Sequence, residues 1–99
     1  MQSFYLIVTF YKGAAVFIAL HRYQEALTDA VRAHQADPKY YKALVRQAVG
    51  LQELGKFPEA LHAANAALGL MPDSADLITL RKSIEDDIEL ENRLPRGII

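Results

Sequence analysis

The chain has 99 residues with 11 basic and 12 acidic side chains, a formal net charge of −1, which allows one small domain and leaves no room for a second. The near-balance of charge leaves no global field to hold a nucleic acid or an anionic membrane, so any electrostatic recognition has to be local. There is no cysteine, which excludes disulfides, thiolate metal sites and cysteine nucleophiles together and suits a reducing, cytoplasmic compartment.

Hydrophobic residues make up 52% of the chain, and much of that share is alanine, the best helix former and one that lets helices approach closely. An all-α fold follows as the expectation. Phe4 to Phe10 form an apolar run, but no Lys or Arg precedes it. Lys12 interrupts it before it reaches the roughly 20 residues of a spanning helix. The run is therefore read as a buried helix and not as a signal peptide or membrane anchor.

Phe10, Ala14, Phe17 and Leu20 recur at threes and fours along a first helix. The β-branched Ile7, Val8 and Thr9 and the glycine Gly13 weaken that helix. His21 stands in the following turn, at a mild local cost if its φ is positive. Tyr23, Ala26, Leu27, Ala30 and Ala33 give a second helix stopped by Pro38. Leu44, Ala48, Leu51 and Leu54 form the stripe of a third, which Gly55 ends in a left-handed conformation. Phe57 is an anchor in that turn and Pro58 suits a first helical turn, where its missing N–H costs nothing. Glu59 complements the positive end of the helix. Ala60, Leu61, Ala64, Ala67 and Leu68 then carry a fourth stripe as far as Pro72. Asp73 or Ser74 caps a fifth helix with Leu77, Leu80, Ile84 and Ile88 on one face and charge on much of the rest. Pro95 and Gly97 mark a frayed tail.

The chain matches itself at an offset of 34 residues. Ala14 meets Ala48, Leu20 meets Leu54, and Glu25, Ala26 and Leu27 meet Glu59, Ala60 and Leu61. Ala30 meets Ala64, Ala33 meets Ala67 and Pro38 meets Pro72, while His21 falls where the second unit has Gly55. This pattern of small, aromatic and proline residues resembles the tetratricopeptide-repeat family. The segments Tyr23–Leu27 and Phe57–Leu61 are similar to its turn and second-helix start, and Asp37-Pro38 and Met71-Pro72 to its repeat ends. The resemblance implies antiparallel helix pairs stacked as a short right-handed superhelix. Repeat one would span residues 7–40, repeat two 41–74 and a closing helix 75–90, with a flexible tail at 91–99. First helices would line a concave, peptide-binding face.

A narrower resemblance is to the co-chaperone branch of the family, whose repeats clamp the carboxylates of heat-shock chaperone tails ending Glu-Glu-Val-Asp. Lys42 and Arg46 form a pair like that of the clamp. Residues four apart share a helix face, and two cations hold a terminal carboxylate by charge-assisted hydrogen bonds. Lys12 stands where the clamp has an asparagine, and the repeat that would supply its first Lys and Asn is absent. Two repeats are fewer than the three usually required for independent stability, so the chain resembles a truncated form, an isoform or a fragment of a longer repeat protein. Lys42, Arg46, Lys12, Tyr11, Val45 and Val49 are the candidate peptide-binding residues. Tyr40 and Tyr41 are assigned to packing between repeats.

The expected function is a protein–protein interaction scaffold that takes a peptide or C-terminal tail, with no enzymatic activity and no cofactor. The competing readings are a structural segment of a larger assembly, self-associating through the N-terminal helix, and a membrane-anchored adaptor using residues 4–20. His21, His34 and His62 lack partners at metal-ligand spacing, and Glu85, Asp86 and Asp87 lack the alternating ligands and glycine of a calcium loop. Neither a serine triad context nor a phosphate-binding glycine loop is present.

Overall fold

The structure is a computed structural model that describes residues 4–94, with side chains from residue 10 onward except that of Tyr11. Five α-helices follow one another: α1 (Phe4–Ala19), α2 (Tyr23–Ala36), α3 (Tyr41–Glu53), α4 (Phe57–Leu70) and α5 (Ala75–Arg93). Each packs on the next, so α1/α2 and α3/α4 are antiparallel hairpins and α5 lies against α4. The burial expected for the Phe4–Phe10 run concerns side chains outside the described residues up to Thr9. Among the described residues no helix is long and apolar enough to cross a membrane.

Two turns of one design close the hairpins. After α1, the His21 amide donates to the Ile18 carbonyl (3.0 Å) and the Arg22 amide to that of Phe17 (2.8 Å). After α3, Gly55 donates to Gln52 (3.0 Å) and Lys56 to Leu51 (2.9 Å), the same pairings 34 residues on. These two bonds satisfy helix-end carbonyls and require the middle residue to be left-handed. His21 is so at φ 58° and Gly55 at φ 76°. His21 also places its Nδ1 2.6 Å from the Tyr23 hydroxyl, a contact glycine cannot make. Leu20 and Leu54, assigned by spacing to the apolar stripes, are instead 57% and 36% exposed. They sit at the hairpin ends, where the chain is already turning away from its partner helix. Phe57 does not lie in the turn but opens α4, half-buried against the core, with Pro58 beside it in the first turn.

The core is made of small residues. Ala14, Ala26, Ala30, Ala33, Ala43, Ala48, Ala60, Ala63, Ala64 and Ala67 are all buried. The helices therefore meet close to backbone separation, where a change of even one methylene is felt. Leu77 and Ile84 are the largest fully buried side chains among the described residues, and both belong to α5. Ile84 enters the cluster of Ala48, Ala60, Ala63 and Ala64, and Leu77 that of Leu44, Ala67 and Leu68. The Ser74 hydroxyl caps α5 by accepting from the Leu77 amide at 3.3 Å. This helix runs to Arg93, beyond the expected end at residue 90, and Arg93 pairs with Glu89 at 2.5 Å. The rest of the expected tail, residues 95–99, lies outside the described residues.

Gly13 has a packing role beside its weak helix propensity. A Cβ built there would lie 2.2 Å from Oδ2 of Asp29, so the glycine makes room for a carboxylate from α2. Asp29 Oδ1 stands 3.7 Å from Arg32, whose guanidinium lies 5.8 Å from the centre of the Phe10 ring. At the same register in the second repeat the sizes are exchanged, with Gln47 on α3 and the buried Ala63 on α4. Bulk has moved from one helix to the other with the interface kept.

Two stability outcomes follow. Ile84→Ala should lower stability by about 2–5 kcal/mol, from lost burial and the cavity left behind, read by thermal or urea denaturation. Gly13→Ala should gain little or nothing in the native background. In an Asp29→Ala background it should recover the helix-propensity gain of about 1 kcal/mol, and additivity of the two changes would contradict the contact.

Candidate functional site

The cleft that contains the predicted pair lies between α3 and α5, with a volume of about 290 Å³. From α3 it takes Tyr41, Lys42, Val45, Arg46 and Val49, all on one side of the helix because they recur at threes and fours. The facing wall is Ser74, Asp76, Leu77 and Leu80 at the start of α5. The capping bond of Ser74 fixes where that wall begins, and burial of Leu77 fixes its rotation. Val45 and Val49 are half-buried and form, with Leu77 and Leu80, an apolar floor. Lys42 is exposed at the rim, whereas Arg46 is half-buried one turn along.

Beyond Val49 the two walls are tied together. Gln52 on α3 donates from Nε2 to the Ser83 hydroxyl at 3.0 Å and to Asp87 Oδ2 at 2.8 Å on α5. The second bond is charge-assisted and the stronger of the two.

Four of the six candidate residues, Lys42, Val45, Arg46 and Val49, thus line one cleft. Lys12 is exposed on α1 and does not line it, and the side chain of Tyr11 lies outside the described residues. Tyr41, assigned to packing, does both: it packs against the cluster of Leu44 and Leu68 and forms part of the cleft wall. Sequence reasoning missed Ser74, Asp76, Leu77 and Leu80 as cleft residues because α5 was read only as a closing helix. The signal was present, since a 34-residue offset carries Lys42 onto Asp76 and Arg46 onto Leu80.

A wider depression of about 520 Å³ lies on the opposite face of α3, against α4, and includes Leu44, Leu51, Ala63, Glu59, His34 and His62. Its titratable groups do not converge: among the described residues no three His, Asp or Glu side chains could hold a metal ion.

No family model matches the chain. Relatives are nevertheless found. Tetratricopeptide repeat protein 28 of Homo sapiens is 38% identical over 65 residues, covering 66% of this chain and 3% of that protein. The Protein STIP1 homolog of Dictyostelium discoideum is 36% identical over 64 residues, 65% of this chain and 11% of the relative. Small glutamine-rich tetratricopeptide repeat-containing protein 2 of Saccharomyces cerevisiae is 31% identical over 88 residues, 83% of this chain and 25% of the relative. The chain therefore spans a quarter or less of the length of these relatives.

Replacing Gln52 by alanine removes both ties between α3 and α5. Stability should fall by about 1–2 kcal/mol in denaturant titrations, the range for a lost pair of partly exposed hydrogen bonds of which one is charge-assisted.

Proposed function

We propose that this chain, which is built of tetratricopeptide repeats, is a non-catalytic protein-interaction scaffold that holds the C-terminal tail of a partner protein in the α3–α5 cleft. The observation that carries the reading is the placing of two cations one turn apart, Lys42 and Arg46, beside an apolar floor of Val45, Val49 and Leu77. A terminal carboxylate accepts from both cations, and an aliphatic side chain next to it covers the floor. Arg46 is half-buried, so a carboxylate meeting it is screened less than one on an open surface. The similarity to proteins named for their tetratricopeptide repeats supports the scaffold role. The tail of a heat-shock chaperone ending Glu-Glu-Val-Asp is the proposed partner, on the resemblance of the Lys42–Arg46 pair to the co-chaperone clamp.

A fluorescent peptide ending Glu-Glu-Val-Asp, titrated against the full chain, tests this. Binding should be weak and should fall at least tenfold for the amidated peptide and for Lys42→Ala/Arg46→Ala, because each removes charge-assisted hydrogen bonds of about 1.5–3 kcal/mol. Equal affinity in all three arms, or no binding by a chain that circular dichroism shows to be helical, would end the clamp reading.

A further inference from the structure

The walls of the cleft carry opposite charge. Lys42 and Arg46 stand on α3, and Asp76 stands across from them on α5. The repeat register makes the opposition specific, because Asp76 occupies on α5 the position that Lys42 occupies on α3. Asp76 is exposed, and among the described residues no ion pair engages either it or Lys42. The next acidic residue along α5 is Glu85, more than two turns on, Asp73 lies before the helix and outside the cleft lining, and Leu77 and Leu80 add no charge of their own.

A ligand reaching from one wall to the other meets a requirement for both signs. Gln52 reaches Ser83 and Asp87 directly, so one long side chain spans the two helices where the cleft ends. An extended peptide advances about 3.3 Å per residue, so a terminal carboxylate on one wall puts the side chains a few residues before it within reach of the other. We infer that Asp76 makes the cleft a two-signed groove, selecting C-terminal tails with a basic side chain within a few residues before the terminal carboxylate. This rests on the proposed tail-binding role of Lys42 and Arg46. It adds that Asp76 grades the tails that enter: the Glu-Glu-Val-Asp tail, with glutamates at those positions, is held more weakly than a tail of the same class with a basic residue there, since its acidic side chains meet a like charge.

The test uses three six-residue peptides with a free C-terminal aspartate and Lys, Gln or Glu three residues before it. Each is titrated against the full chain, Asp76→Asn, Asp76→Lys and Lys42→Ala/Arg46→Ala, with circular dichroism confirming the helices of every variant. The native chain should bind in the order Lys, Gln, Glu, with about fivefold between the extremes, as a partly exposed charge contact gives. Asp76→Asn should bring the three within about twofold, and Asp76→Lys should reverse the order. Equal affinities in the native chain, or a Lys-over-Glu ratio that persists in Asp76→Asn, would overturn the inference. If all three bind alike and lose affinity in Lys42→Ala/Arg46→Ala, the tail-binding reading survives and the role of Asp76 falls. If none binds the folded native chain, both fall.

Discussion

Helices in this protein approach one another at alanine, and most of the architecture depends on that closeness. An alanine interface gains little from each side chain but brings many backbone and Cβ atoms into contact, so its strength comes from repetition along the whole length of each hairpin. It also makes every position on the facing surfaces a question of volume. Gly13 and Asp29 in the first repeat, against Gln47 and Ala63 in the second, show how a polar group is fitted into such an interface: one helix gives up its side chain so that the other can keep a larger one. The two large aliphatics buried most completely among the described residues, Leu77 and Ile84, both come from α5 and close the open side of the core.

Closeness at the interfaces requires tight turns, and the turns are where the two repeats are most alike. The carbonyls of Phe17 and Ile18, and those of Leu51 and Gln52, accept the same pair of amides around one left-handed residue. Glycine fits that conformation without penalty. Histidine does not, but at His21 its ring gains the Tyr23 hydroxyl as a partner. The common turn fixes a common register, and register decides what faces the cleft. Repetition with altered side chains can then put a cation on one helix and an anion on the next. The same logic describes the outer side of α5, where Lys82 takes the position of Ala48 and pairs with Asp86 at 3.5 Å. A charged, solvated group there replaces the small one that a closely packed helix would need.

Much of this was legible in the linear sequence. Spacing of apolar residues located all five helices, Gly55 and His21 located the left-handed turns, and Ser74 was among the residues expected to cap the last helix. The errors were local and had local causes. Leu20 and Leu54 fit the helical period but fall past the last turn covered by a neighbour. Gly13 was read only for its weak helix propensity, and its packing role went unseen because Asp29 lies on another helix. The candidate site was half visible: the α3 wall followed from a motif within one helix, and the α5 wall did not.

The sequence by itself determined what depends on neighbours along the chain: helix periods, caps, the handedness of turn residues and the repeat that ties them together. The periods, caps and turns are set within about four residues, the reach of a helical hydrogen bond, and the repeat copies them 34 residues on. Only the tertiary structure decided which faces meet. Tyr41 became a wall residue as well as a packing residue, Lys12 stayed outside the cleft, and Asp76 came to stand opposite Lys42 and Arg46. The physical reason is that α3 and α5 are separated in the chain by α4. Their side chains become neighbours only once the alanine interfaces have stacked the helices and burial of Leu77 has set the rotation of α5.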